Sequence, residues 1–206
     1  EYFSDGITED IITDLSKISG LFVIARNSSF VYKGRAVDVE HVGRTVGVRY
    51  VLEGSVRRAN DRVRINAQLL DATTGGHVWA DRYGGEMQDI FALQDQVTLQ
   101  IVQALQIKLT EGEQTSLTHH YTDNLEAYDL YLRGESYFWR LTKEANIQAR
   151  QLFDQAISRD PQYAAAHAQL GFTYLMEWAF QWSQSLQAIQ KARDISQRAV
   201  DLDESL

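Results

Sequence analysis

Asp5, Glu9 and Asp10 fall within the first ten residues, and clustered carboxylates are a common means of holding catalytic metal ions. One way to hold two metal ions is a pair of carboxylates fixed on a sheet, and no strand-like stretch of this chain offers a convincing pair. The three acids sit instead at the start of an amphipathic stretch, where they complement a helix dipole. Of five histidines, only His119 and His120 are adjacent, with Asp123 as the nearby carboxylate. Neighbouring side chains point in different directions, which is poor geometry for one ion. His41 and His77 lack visible partners, and His167 falls at a helical packing position. The chain has no cysteine, which removes disulfides, thiolate ligands and cysteine nucleophiles. No GxGxxG, no P-loop and no nucleophile elbow occurs. The expectation is a chain without catalytic residues, metal site or cofactor.

A second group with chemical potential is Arg57, Arg58, Arg62 and Arg64, around a turn between two strand-like runs. An arginine-edged ribbon can grip phosphate. Charges at a hairpin end also keep a sheet edge soluble, and no aromatic residues are interleaved for base stacking. The net charge is −8, with −4 from residues 1–121 and −4 from residues 122–206. That even acidity argues against nucleic acid or an anionic membrane as the main partner.

The elements that must position these groups follow from periodicity. Ser4 or Thr8 can cap a first helix whose apolar face is Ile7, Ile11, Ile12, Leu15 and Ile18, ending at Gly20. Leu21–Ala25 is a short, wholly apolar run, which suits a strand buried on both faces. Asp38 through Val46 predicts a second helix with Val39, Val42 and Val46 inward and Gly47 as its stop. Two long strands follow: Val48, Tyr50, Leu52 and Val56 share one face, as do Val63, Ile65, Ala67 and Leu69. Ala59-Asn60-Asp61 joins them, Ala72 to Gly76 makes the next turn, and His77–Tyr83 completes a meander. Gly84-Gly85 and Asp89 introduce a long helix through Ile90, Leu93, Val97, Ile101, Leu105 and Leu109.

This order is α+β over residues 1–110, with a mixed sheet whose first strand is missing. A polar stretch over 111–123 reads as a linker. Residues 124–206 read as two helical hairpins, the start of a longer array, with helices near 124–141, 144–159, 162–180 and 185–202. Pro161 is expected at the start of the third, where its missing N–H costs nothing. Ala149, Phe153 and Ala156 recur as Ala192, Ser196 and Ala199, each set following a glycine among aromatics, Gly134 and then Gly171. Such spaced small residues mark helices in close contact.

A buried strand such as Leu21–Ala25 needs neighbours, and the first helix would be the crossover from an earlier parallel strand. The sequence opens at Glu1 without an initiator methionine. It is expected to be a piece of a longer chain whose first strand lies upstream. An unprotected sheet edge would remain, open to pairing with a second copy. No apolar run is long enough to span a bilayer, and no signal peptide is visible.

Four blocks carry a family resemblance: Tyr2-Phe3-Ser4-Asp5-Gly6-Ile7-Thr8-Glu9-Asp10-Ile11, Val23 through Phe30, Val48 through Val56, and Gln68 through Gly75. Over residues 1–110 the chain resembles the TolB-like N-terminal domain. In that family the domain precedes tetratricopeptide repeats in bacterial adenylate/guanylate cyclases and transcriptional regulators. The later helices resemble those repeats, with Leu170, Gly171, Tyr174, Ala192 and Ala199 at signature positions. Ser196 stands where a larger apolar residue is usual and Glu204 replaces a closing proline. Each repeat also exceeds the standard length of about 34 residues. The resemblance implies an output domain, cyclase or DNA-binding, outside this stretch. A membrane span ahead of it, as in some relatives, would make it periplasmic rather than cytoplasmic.

Repeat scaffolds bind extended peptides or partner helices in a concave groove. Among the aromatic residues of the hairpins, helix phase selects Tyr128, Tyr131, Glu135, Phe138 and Phe172 as groove candidates. The sequence therefore predicts a non-catalytic regulatory segment that binds a protein or peptide. The alternative is a small-molecule sensor, with the ligand between the sheet and the Arg26–Ser29 loop.

Overall fold

The structure, a computed structural model, describes residues 1–117, 122–183 and 186–204. Contacts divide the chain into two units, Ile7–His119 and Glu1–Gly6 with His120–Leu206. The architecture is the expected one, an α+β part followed by helical hairpins.

Helix α1 (Tyr2–Ser16) starts ahead of the expected Ser4 or Thr8 cap, because the Asp5 N–H already donates to the Glu1 carbonyl at 3.0 Å. Ile7, Ile11, Leu15 and the following Ile18 are buried as their spacing predicts, and Ile12 is half-buried. Short helix α2 (Arg26–Ser29) comes next, then α3 (Val39–Val46). The Asp38 carboxylate caps α3 by accepting from Glu40 N–H at 3.0 Å. Gly47 ends it at φ +73°, a left-handed conformation that costs a residue with a Cβ.

The sheet is β1 (Tyr50–Ala59), β2 (Arg62–Asp71) and β3 (Gly76–Glu86), in the order β1-β2-β3 and antiparallel throughout. The mixed sheet expected from sequence is therefore corrected: among the described residues no parallel pair forms. Leu21–Ala25 is not a strand either. It pairs with neither edge of the sheet, and Phe22 is 82% exposed. Without a ladder on either side, an apolar run has no means of satisfying its backbone as a buried strand. Val63, Ile65, Ala67 and Leu69 are buried as one face of β2. In register with them are Leu52, Gly54 and Val56 on β1 and Trp79, Asp81 and Tyr83 on β3.

Gly84 and Gly85, expected to lead out of the meander into the long helix, continue β3 opposite Arg64 and Val63. A side chain at Gly85 would stand 3.2 Å from Leu93 Cδ1, so the glycine lets the following helix lie against the strand. That helix is α4 (Ile90–Ala104), whose Ile90, Leu93, Val97, Ile101 and Val102 are buried against β2 and β3. Burying each such side chain contributes roughly 1.5–3 kcal/mol.

Helix α5 (Glu111–Leu117) forms in the polar stretch expected as a linker. Thr110 and Glu113 make a reciprocal capping box there: Thr110 N–H donates to Glu113 Oε2 at 2.8 Å and Glu113 N–H to Thr110 Oγ1 at 3.2 Å.

The hairpins of the other unit are α6 (Leu125–Phe138) with α7 (Lys143–Arg159), and α8 (Ala164–Ala179) with α9 (Leu186–Leu202). Asn124 caps α6 by accepting from Glu126 and Ala127 N–H, and Thr142 caps α7 by accepting from Ala145 N–H. Pro161 is not the first residue of α8. It lies in a turn closed by Tyr163 N–H on the Asp160 carbonyl, with Asp160 Oδ1 accepting from Gln162 N–H. Small residues carry the close contacts: Ala127, Ala156 and Ala166 pack with Tyr163, and Ala149 packs with Phe138, Phe153 and Leu170.

Candidate functional site

Each hairpin closes on a glycine. A Cβ on Gly134 of α6 would stand 2.5 Å from the Phe153 ring of α7. A Cβ on Gly171 of α8 would stand 2.5 Å from Ser196 Oγ and 3.3 Å from the Ala192 carbonyl of α9. These contacts fix which aromatic side chains turn inward and which remain available.

Of the five groove candidates, three are in the interior. Tyr128 is 3% exposed, Glu135 5% and Phe138 7%. Glu135 Oε2 accepts from Trp139 Nε1 at 2.8 Å, and Phe138 meets the Trp139 ring edge-on at 5.5 Å. Tyr131 is half-buried, its ring 5.7 Å from Phe153 and 5.1 Å from Tyr163. Phe172 alone of the five is open, at 47% exposure. The structure does not gather the five on one accessible surface. Phase arithmetic identified a common helix face on α6 but carried no information on what α7 and α8 would lay over it.

The exposed apolar residues of this unit concentrate on the second hairpin: Phe172, Trp178 and Phe180 on or after α8, and Ile189 and Val200 on α9. Phe180 stacks on Trp182 at 5.0 Å. Beside them a polar group ties α7 to α8. Arg150 donates to Thr173 Oγ1 and to the Thr173 carbonyl, both at 3.1 Å, and to Glu177 Oε2 at 2.5 Å. Its guanidinium lies 3.8 Å over the Tyr174 ring, where Lys191 approaches from α9. Asn146 Nδ2 adds a buried bond to the same carbonyl at 2.9 Å. Burial raises the pKa of nearby Asp154, partly offset by Arg150 and Lys191.

No family model matches the chain. It is 51% identical over 205 residues to a protein of Rhizobium meliloti (strain 1021) named "Putative adenylate cyclase 3". The match takes in 99% of this chain and 35% of that protein, so the chain spans about a third of its relative's length. The chain thus has a homologue among proteins named for signalling chemistry.

In the other unit, the acids near the start of α1 are engaged. Glu9 Oε2 forms an ion pair with Arg26, 3.0 Å from its Nε, and Asp10 accepts from Gln94 Nε2 at 2.7 Å. The Arg26 guanidinium also covers the Phe30 ring at 4.2 Å, so the Arg26–Ser29 segment, expected as a loop and found as helix α2, is anchored through Arg26. Asp5, which belongs with the helical unit, lies in the first turn of α1. His41, exposed, has Nε2 3.5 Å from Thr45 Oγ1, and His167, half-buried, has Nε2 3.1 Å from the Pro161 carbonyl. His119 and His120 lie outside the described residues. Glu113 is held down to about 2 by donors from Thr110 and Ser19. Burial, with Asp81 adding to it, pushes Tyr83 up to about 12. Among the described residues no helix is long and apolar enough to cross a membrane.

The arginine group is rearranged by the register. Arg57 and Arg64 are Cα partners, with Arg62 on the same face, whereas Arg58 is opposite Val63 on the other face. The sequence reading missed Arg82, which β3 brings opposite Asn66 and next to this set. Counting register through a hairpin turn and a second tight turn would have found it.

Proposed function

We propose that this chain is a non-catalytic regulatory segment of a bacterial signalling protein of the adenylate cyclase kind. In this reading residues 1–110 are a TolB-like α+β domain, 111–123 a connection, and 124–206 two tetratricopeptide-like hairpins that open a longer array. The hairpins bind a protein or peptide partner. The observation that carries the reading is the second hairpin, where Phe172, Trp178 and Phe180 stay exposed although the helices are closely packed. Apolar aromatic side chains left outside a packed scaffold are what a partner's anchor residues meet. The engaged state of Arg26 favours this reading over a ligand held at the Arg26–Ser29 loop.

The relative's name motivates the placement beside a cyclase, and Glu9 and Asp10 of the N-terminal acidic cluster are held by Arg26 and Gln94. Cyclase turnover measured on the full-length protein with and without these residues tests it. Turnover by the isolated chain would overturn the non-catalytic assignment. Pairing of two copies through β1 or β3, the edge strands of the sheet, belongs to the same proposal. Light scattering tests that part: a strict monomer at high concentration removes it.

A further inference from the structure

The sheet face turned away from Val63, Ile65, Ala67 and Leu69 gathers positive charge on a chain whose net charge is −8. One cross-strand row holds Arg57, Arg64 and Gly84; the next holds Ser55, Asn66 and Arg82; and Arg62 lies beyond, opposite Glu86. All four arginines are exposed. Asn66 links the strands, donating from Nδ2 to Ser55 Oγ at 2.9 Å and accepting from Arg82 Nε at 3.0 Å. That chain of bonds sets the direction of Arg82 while its terminal nitrogens stay open. Arg57, Arg62 and Arg64 form no side-chain ion pair among the described residues. Like charges directly opposite each other on a sheet are destabilising, so this arrangement works against the fold that carries it.

We propose that this face docks an acidic, extended segment of a partner protein. Guanidinium groups present a planar fork that matches carboxylates. Side chains on one face of an extended segment recur about every 6–7 Å, the same step that separates Arg62 from Arg64 along β2. A segment lying along β2 can therefore set successive carboxylates against successive arginine rows. Gly84 places no side chain in the central row, which leaves room for that backbone. Glu86 at one end and Glu53, bonded to Gln68 Nε2 at 2.9 Å, at the other limit the footprint to a short segment. A nucleic acid fits less well. Its phosphates run on past the patch over an acidic chain, and the aromatics Trp79 and Tyr83 are on the other face. A small anion would find an open surface rather than an enclosing site.

The proposal is independent of the hairpins. Its test is fluorescence anisotropy of a fluorescein-labelled hexaglutamate peptide titrated with the whole chain. Sodium triphosphate and a single-stranded oligonucleotide serve as competitors. Binding should weaken about tenfold or more in the Arg57→Glu/Arg64→Glu variant and fall as salt rises. Arg193→Glu/Arg198→Glu, which changes net charge equally on α9, should leave it unchanged. Arg57→Gln/Arg64→Gln, checked by circular dichroism, gives the same reading if the charge-reversed chain fails to fold. No binding by the parent chain, equal loss in the α9 variant, or tighter binding of triphosphate or oligonucleotide than of the peptide would each overturn the proposal. Retained peptide binding in Phe172→Ala would separate this surface from the hairpin site, and its loss there would overturn the independence of the two.

Discussion

Ser196 Oγ lies 2.5 Å from the place where Gly171 would carry a Cβ, just as the Phe153 ring lies 2.5 Å from the corresponding place on Gly134. The two hairpins thus use one contact with different partners. In the first, a large ring fills the space above the glycine. In the second, a serine does so, and the Ala192 carbonyl also approaches.

Replacing either glycine by alanine sets two effects against each other. Alanine gains about 1 kcal/mol of intrinsic helix propensity. Overpacking a tight contact costs about 1–3 kcal/mol. At Gly171 the carbonyl cannot swing aside as a side chain can, so Gly171→Ala is expected to destabilise on balance. Adding Ser196→Ala should recover part of that loss, with a coupling of at least about 0.5 kcal/mol. Urea unfolding of the two single variants and the double variant measures it; strict additivity would mean that the contact is not what limits the site.

Much of this packing was legible because it depends on local rules. Asp38 and Gly47 bracket α3 as a cap and a stop should, and alternation along Val63, Ile65, Ala67 and Leu69 identified the buried face. Leu21–Ala25 failed because an apolar run specifies burial only if a neighbouring strand exists, and composition is silent on that. Helix α5 was written in the sequence as Thr110 followed three residues later by Glu113, a cap signal that a search for apolar periodicity passes over. The candidate site was less legible still. Tyr128, Glu135 and Phe138 share a helix face with Tyr131, but which face a neighbouring helix covers is a tertiary fact.

The opposition of Arg57 and Arg64 makes a stability prediction of unusual sign. Arg64→Thr removes one of two like charges and places a β-branched residue in the central strand. The expected change is a stabilisation of roughly 0.2–1 kcal/mol at low salt, shrinking as salt is added. Chemical denaturation at two ionic strengths reads it. A destabilised variant would show that Arg64 contributes more by covering the sheet than it loses by repulsion.

Glu113 gives a pH dependence. Its folded-state pKa is depressed from 4.5 to about 2, first by the Thr110 backbone donor and then by Ser19 and Thr110. A depressed carboxylate contributes stability above its unfolded value, and that contribution is lost as pH falls from about 4.5 towards 2. The carboxylate lies at the surface and its partners are local, so the effect belongs to local order of α5 and its tie to Ser19 rather than to global unfolding. Amide exchange at Ser19 should accelerate, relative to neighbouring amides, across that window in the parent chain. In Glu113→Gln the excess should already be present at neutral pH, and an identical profile in both would remove the assignment.

Phe172 and Phe153 separate function from folding on the same pair of hairpins. Phe153 is fully buried among Phe138, Ala149 and Leu170, so Phe153→Ala should cost about 3–5 kcal/mol. Phe172 is 47% exposed, and Phe172→Ala should cost only a fraction of that. If the second hairpin is a docking surface, the ranking reverses for binding. The stable Phe172→Ala chain should lose partner binding in cells, measured by crosslinking from a photoreactive group placed at Trp178. Undiminished crosslinking to the same partner in Phe172→Ala would remove Phe172 from the binding surface, because the variant's intact fold leaves no structural explanation for a false result.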